Sequence, residues 1–190
     1  MKSIVVLASG NGSLFQALAD ASAQEKIFSI SALVVDRKDT YAVTRATKFG
    51  IPAIEIPFVD YEDDHWQRLL KETVLSLQPD LVVSAGFMRI IRSDLFLKCP
   101  TINAHPSLLP EFPGAHAVQD ALAAGADVTG ATVHLMDAGI DTGRILAQKE
   151  VVVLPGDTSA TLHERIKTVE QIQLVSVVTD ICSGKLKIGE

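Results

Sequence analysis

The run Asn103-Ala104-His105 follows Thr101-Ile102, a pair of strand character, and leads into Pro106-Ser107-Leu108-Leu109-Pro110. On a strand, alternate residues share a face, so Asn103 and His105 are expected to project together from one strand end. The prolines then force an extended, turn-rich exit, because each fixes its own φ and restricts the residue before it. Far along the chain stands Asp141-Thr142-Gly143. A side-chain amide, an imidazole and a carboxylate form a set suited to acyl chemistry. The amide can hold a carbonyl oxygen, the imidazole can stabilise an oxyanion or move a proton, and the carboxylate can orient the imidazole.

An alternation of strands and helices must position these groups. Residues 4–8 are a continuous apolar run, as expected for a parallel strand buried on both faces. Leu14, Ala17, Leu18 and Ala21 then recur at helical spacing. Further strands are predicted at 32–35, 53–56, 81–85 and 101–104. Helices are predicted at 41–49, closed by Gly50 and Pro52, and at 62–77, where Trp66, Leu69, Leu70, Thr73, Val74 and Leu77 form one stripe. A short helix is expected at 117–124, stopped by Gly125. Residues 129–135 and 145–153 read as strands close in sequence, hence antiparallel neighbours. Asp157 or Thr158 caps a last long helix, with Leu162, Ile166, Val169 and Ile172 facing inward and Gly184 ending it. The fold class is α/β: one domain over 1–190, with a mixed, mostly parallel sheet of about seven strands and helices on both faces. In such sheets ligands bind outside the carboxyl ends of the strands. The glycine turn at 10–13, the segment 86–91 and the Asn103–His105 run should therefore gather at one edge.

Gly10-Asn11-Gly12-Ser13 lies between a strand and a helix. Glycines let backbone approach an anion, and the helix start offers free N–H groups and the positive dipole end. Phe15 occupies the third glycine position of G-x-G-x-x-G. That favours one phosphate over a pyrophosphate and argues against a nicotinamide oxidoreductase. The plainer alternative is a tight turn with Ser13 as cap. Gly86-Phe87-Met88-Arg89-Ile90-Ile91, taken alone, reads as a strand end entering a short helix with Met88 and Ile90 in the core. The stretch Asp137-Ala138-Gly139-Ile140-Asp141, alone, reads as a glycine-containing turn. His65, His116 and His163 read as surface or structural, while His134 lies on a strand leading to the Asp141 loop. Trp66 reads as core, and the acids between Asp60 and Asp64 as a solvated helix start. No histidine–carboxylate pair has metal-site spacing, so no metal is expected.

Bulk properties narrow the class. The chain has 190 residues, 47% of them apolar and 21% charged, and a net charge of −6. Without a basic run, nucleic-acid binding is not expected. Cys99 and Cys182 lack metal or disulfide-framework spacing and read as reduced, structural thiols of a cytoplasmic protein. No signal peptide and no bilayer-spanning run is read, so no membrane partner is expected.

Five stretches in order, at 9–13, 86–90, 103–110, 112–114 and 133–143, resemble the folate-dependent formyltransferases, and the likeness extends from the N-terminus to Glu170. Within that family it is nearest to the branch acting on glycinamide ribonucleotide. The resemblance implies a formyltransferase-like fold, with a phosphate-binding, Rossmann-like N-terminal part and a folate-binding, catalytic C-terminal part. It implies small-molecule substrates: 10-formyltetrahydrofolate as co-substrate, and a ribonucleotide amine that attacks the formyl carbon directly in de novo purine biosynthesis. The family's roles carry over to Asn103, His105 and Asp141 as catalysts. Gly12, Ser13, Leu14, Lys167 and Glu170 fall to the phosphate and ribose. Met88, Arg89, Ile90, Ile91, Asn103, Asp137, Ala138, Gly139, Ile140 and Asp141 fall to the pterin.

Two positions depart from the family pattern. Leu14 stands where an asparagine is usual, and the 60–64 acids stand where a basic residue often meets the folate tail. Rival readings are a methionyl-tRNA formyltransferase, disfavoured by the acidic charge and the chain's end soon after the last helix. A formyltetrahydrofolate hydrolase is disfavoured by a first strand beginning at residue 4, and a non-catalytic nucleotide-binding module rests only on the glycine turn. The family includes monomers and homodimers, and both stay open.

Overall fold

The first strand is apolar without interruption because it is covered from both sides. In the computed structural model, which describes residues 1–92 and 94–188, β1 (Lys2–Ala8) lies inside a seven-stranded sheet. The other strands are β2 (Phe28–Val35), β3 (Ala53–Glu55), β4 (Leu81–Ser84), β5 (Thr101–His105), β6 (Val128–Leu135) and β7 (Ile145–Val152). Their spatial order is β3-β2-β1-β4-β5-β6-β7. β1 to β5 are parallel, and β6 runs antiparallel to β5 and, across a short connection, to β7. The helices are α1 (Ser13–Glu25), α2 (Tyr41–Lys48), α3 (Asp63–Ser76), α4 (Leu95–Lys98), α5 (Ala117–Ala123) and α6 (Ser159–Cys182).

The two-residue period of the strands sorts side chains into two cores. Ile4, Val6 and Ala8 join Leu18 of α1 and Leu174 of α6 on one face. Val5 and Leu7 join Trp66, Leu70 and Val74 of α3 on the other. Trp66 is fully buried and its indole Nε1 donates to the Ile56 carbonyl at 2.8 Å. This bond fixes α3 against the end of β3. Sheet order reverses between β1 and β4, which opens a crevice at their carboxyl ends.

Four local expectations are corrected. β2 begins at Phe28, not at residue 32. Its first half alternates Phe28 and Ile30 with serines, and Ser31 Oγ donates to the Ile4 carbonyl at 3.0 Å. Residues 86–91 form no helix, and Met88 and Ile90 are 61% and 62% exposed rather than core. Helix α4 was not foreseen. On α6, Ile172 faces outward at 70% exposure, whereas Glu170 is buried. The inward stripe is Leu162, Ile166, Glu170 and Leu174, each four residues from the next. Ile172 lies two residues from Glu170 and so points away from the stripe. At the start of α6, Thr158 is the cap, accepting the Thr161 N–H at 3.2 Å. Asp157 instead pairs with Arg165. Cys99 is buried, Cys182 is half-buried, and both are free thiols. No described helix is long and apolar enough to cross a membrane.

Trp66→Phe keeps most of the ring packing but leaves the Ile56 carbonyl without its donor. Urea unfolding followed by circular dichroism should show a loss of about 1–3 kcal/mol. A change below about 0.5 kcal/mol, the usual size of a neutral surface substitution, would mean that the bond contributes little.

Candidate active site

Three strands adjacent in the sheet, β1, β4 and β5, send their ends to one edge. β1 delivers the glycine loop, β4 the 86–91 segment, and β5 Asn103 and His105. Ser9 ties the first two together. Its N–H donates to the Gly86 carbonyl at 3.2 Å, and its Oγ accepts the Met88 N–H at 2.7 Å. A cavity of about 350 Å³ is lined by Phe87, Met88, Arg89, Ile90 and Ile91 from β4, and by Met136, Asp137, Gly139 and Ile140 beyond β6. Asn103, His105, His134 and Asp141 line it too. Ala138 is exposed and outside the lining.

Asn103 and His105 share a face of β5, and antiparallel pairing sets His134 beside Asn103 and Thr132 beside His105. A carbonyl oxygen only accepts hydrogen bonds, which assigns two ring protons. His134 Nδ1 donates to the Leu135 carbonyl at 2.8 Å, and His105 Nε2 donates to the Phe112 carbonyl at 2.9 Å. The other nitrogen of each ring turns to Asp141. His105 Nδ1 is 3.4 Å from Oδ2 and His134 Nε2 is 3.4 Å from Oδ1. Gly114 N–H donates to Oδ2 at 2.8 Å, and Asn103 Nδ2 lies 3.4 Å from Oδ1 and 3.2 Å from His134 Nε2. His134 thus belongs to the cluster, as its strand position hinted.

Local backbone explains how the carboxylate gets there. Asp141 has φ 55°, the left-handed region that aspartate tolerates better than most residues. At Gly143, a Cβ would lie 1.8 Å from the Leu135 carbonyl oxygen, so no side chain fits where the loop rejoins the sheet. The proline-bounded run is pinned from β6 and β7. Thr132 Oγ1 donates to the Ser107 carbonyl at 2.7 Å, and Gln148 Nε2 donates to the Leu109 carbonyl at 2.7 Å. That run carries Phe112 and Gly114 to the two histidine and aspartate contacts.

Burial alone would raise the Asp141 carboxyl. It is outweighed by the hydrogen bond with His134, the Gly114 N–H and the charges of His105 and His134, which together hold the group at about 2. Asp141 is therefore a carboxylate across the physiological range, as an orienting group must be.

The glycine loop has its own geometry. Gly12 has φ 73°, and a Cβ there would meet the Ala42 Cβ at 2.7 Å, so only glycine allows α1 and α2 to approach. The first bond of α1 runs from Gln16 N–H to the Gly12 carbonyl, leaving the N–H groups of Ser13, Leu14 and Phe15 ahead of it. Gly12, not Ser13, takes the cap position. The Leu14 side chain is buried in the core, so only its backbone serves this loop.

Arg45 of α2 is a neighbour that sequence reasoning missed. Its Nε and terminal nitrogen donate to the Asn11 carbonyl and side chain, each at 2.9 Å, which sets a cation beside the loop. Nothing in the sequence pairs α2 with this loop; the close approach of Ala42 to Gly12, one turn earlier on the helix, brings Arg45 there. Lys167 Nζ pairs with Glu164 at 2.6 Å, and Glu170 is buried one turn further along α6. Burial pushes Glu170 up to about 7, against the opposing charge of Lys167.

Apart from Ala138, the proposed catalytic and pterin residues thus share one cavity. The proposed ribonucleotide residues Gly12, Ser13, Leu14, Lys167 and Glu170 lie outside its lining. Among the other predicted features, the acids at 60–64 lead into α3 and are largely exposed, and some of them also make ion pairs. Asp60 meets Lys38 at 2.7 Å, and Asp63 pairs with Arg92. His65 and His116 are exposed and His163 is half-buried. Among the described residues no group of three or more His, Cys, Asp or Glu could hold a metal ion.

The model of the formyl transferase family matches residues 2–178. This chain belongs to the formyl transferase family. It is 46% identical over 183 residues to a phosphoribosylglycinamide formyltransferase of Mycobacterium tuberculosis, covering 95% of this chain and 85% of that protein. It is 38% identical to the enzyme of the same name from Bacillus subtilis, covering 95% of each. Among solved structures, it is similar to glycinamide ribonucleotide transformylase 1 from Symbiobacterium toebii, with a TM-score of 0.94 and 36% identity over 100% of this chain and 91% of that one. These likenesses bear out the family and the fold read from the motifs.

Two titrations follow. The folded value of Asp141 is depressed, so its stabilisation is present above the ordinary 3.8 and is lost as pH falls through about 2. Acid unfolding of Asp141→Asn should lack that part of the slope, and an unchanged slope would contradict the contacts above. Glu170 has the opposite sign. Its stabilisation is full below 4.5 and is lost as pH rises through about 7. Urea midpoints on either side of neutrality should therefore differ less in Glu170→Gln than in the parent protein, and equal differences would refute the burial effect.

Proposed function

We propose that this chain transfers the formyl group of 10-formyltetrahydrofolate to the amine of 5′-phosphoribosylglycinamide, a step of de novo purine biosynthesis. The observation that carries the reading is the convergence of Asn103, His105 and Asp141 on one cavity whose other wall is Met88, Ile90 and Ile140. Flexible apolar side chains suit a flat pterin, and exposed backbone can read its edge. The glycine loop takes the single phosphate, through the N–H groups of Ser13 and Leu14, with Lys167 alongside and Glu170 at the ribose hydroxyls.

In this reading the neutral amine attacks the formyl carbon, and negative charge grows on the former carbonyl oxygen. Asn103 donates to that oxygen. His105 Nε2 is occupied by the Phe112 carbonyl, so the Nδ1 edge beside Asp141 meets the developing charge. Asp141, permanently ionised, favours a charged imidazole. A proton passes from the attacking amine to N10 of the folate through water near Asp141, and the intermediate collapses as the C–N10 bond breaks and the folate leaves. The chemistry requires no covalent enzyme intermediate, metal or nicotinamide. The substrates are small molecules, neither nucleic acid nor membrane takes part, and the enzyme works in the cytoplasm.

The test is a mixture of protein, 10-formyltetrahydrofolate and ribonucleotide, followed by absorbance of the released folate. Release should require the ribonucleotide, and His105→Ala with unchanged circular dichroism should be slower by about 10²–10³, the usual effect of losing one oxyanion donor. Release without ribonucleotide would indicate hydrolysis instead. Near-normal turnover in His105→Ala would reject the mechanism.

A further inference from the structure

From Gly86 to Arg92 the chain forms neither helix nor strand, yet it makes one wall of the cavity. Irregular backbone at such a place needs hydrogen-bond partners from elsewhere, because it has no ladder of its own. Two buried polar side chains, Ser9 and Gln67, supply them, and a third, Asp36, holds the segment through the Arg89 side chain. Ser9, just past β1 and 2% exposed, accepts the Met88 N–H through Oγ at 2.7 Å. Asp36, just past β2, has a fully buried side chain that accepts Arg89 Nε at 2.7 Å. The Phe58 ring lies 4.2 Å from that guanidinium and holds its flat face. Gln67 of α3, 7% exposed, works in both directions. Its Nε2 donates to the Ile90 carbonyl at 2.9 Å and its Oε1 accepts the Arg92 N–H at 2.9 Å.

Residues 88, 89, 90 and 92 are each gripped from the protein side, while the Met88 and Ile90 side chains remain open at the cavity. The choice of residue type follows from the chemistry. An amide side chain carries a donor nitrogen and an acceptor oxygen on separate atoms, so it can donate to a carbonyl and accept from an N–H two residues away at once. A glutamate at residue 67 could not donate, and an apolar residue would leave both backbone groups unpaired. The placement of Gln67 is inherited from the core, since Trp66 and Leu70 on the same helix are fully buried. Arg89, expected from the sequence as a folate contact, has its Nε committed to Asp36.

We propose that Ser9, Asp36 and Gln67 are positioning residues for the donor-binding wall. They set the height of Met88 and Ile90 and thereby the affinity for the folate, without touching it. The inference rests on the folate reading of this cavity. Gln67→Met keeps volume and packing but removes both bonds, and Gln67→Glu keeps the acceptor for Arg92. Gln67→Met should raise KM for 10-formyltetrahydrofolate about tenfold, as expected for one buried polar pair. KM for the ribonucleotide should stay within about twofold, the scatter of context effects far from a change. Gln67→Glu should fall between the parent and Gln67→Met.

Amide hydrogen exchange in the free protein supplies a readout that needs no turnover. The Met88 and Arg92 amides should be protected, and Gln67→Met should speed exchange at Arg92 more than at Met88. The proposal is overturned if those amides are unprotected in the parent protein, if both KM values rise together, or if the folate KM stays put while Arg92 exchange quickens. Should Gln67→Met fail to fold, Ser9→Ala removes one oxygen and must show the same split, with the faster exchange now at Met88. A parent protein with protected amides but no formyl transfer would count against the functional reading and not against the clamp.

Discussion

The Asp141 carboxylate is where remote parts of the chain are joined. It accepts from the Gly114 N–H, faces both His105 and His134, and lies beside the Asn103 amide. Its partners come from β5, β6 and the proline-bounded loop after β5, and the aspartate itself comes from the turn after β6. A buried carboxylate without such partners would take up a proton. With them, it stays ionised to about 2, and its charge fixes which edge of each imidazole faces inward. The orientation of His105 in turn depends on Phe112, whose carbonyl holds the opposite nitrogen. Loss of any one contact would loosen the others, because they share two oxygen atoms.

The sheet determines where this cluster can form. Strand order reverses between β1 and β4, so the loops after them diverge and leave a crevice that β5 completes. Everything at that edge is irregular backbone, and each piece is held by a specific local device. Gly12 allows the approach of α2, Gly143 lets the Asp141 loop close, Ser9 bridges two loops, and Thr132 with Gln148 pins the run after His105. The scaffold is apolar and regular, and the edge is polar and irregular. The rigidity of the second is borrowed from the first.

Much of this was legible from residue types. The two-residue period predicted that Asn103 and His105 share a face, and the apolar runs predicted a doubly covered sheet. Motif order then supplied the partner that spacing alone could not, Asp141. The failures have physical causes. Taken alone, residues 86–91 look like core because Met88 and Ile90 are apolar, but both side chains stay exposed at the cavity, where the family resemblance puts them. Ile172 reads as inward because the stripe on α6 lacks an apolar residue at 170; the structure buries Glu170 there instead. Leu14 fits both of its readings, with its side chain in the core at helical spacing from Leu18 and only its backbone at the glycine loop. Arg45 and Gln67 left no motif, since each acts through backbone groups that are distant in sequence. Hydrophobic periodicity reports which face is buried, and it does not report which buried polar group meets which carbonyl.

The central claim is that Asn103, His105 and Asp141 act as one unit on the reacting carbonyl. A kinetic cycle of Asn103→Ala and Asp141→Ala, alone and combined, tests this most directly. The account predicts that the double variant loses little more kcat/KM than the worse single variant, as for other residues that work as a set. Losses that simply multiply would show that the two side chains contribute independently, and would contradict it.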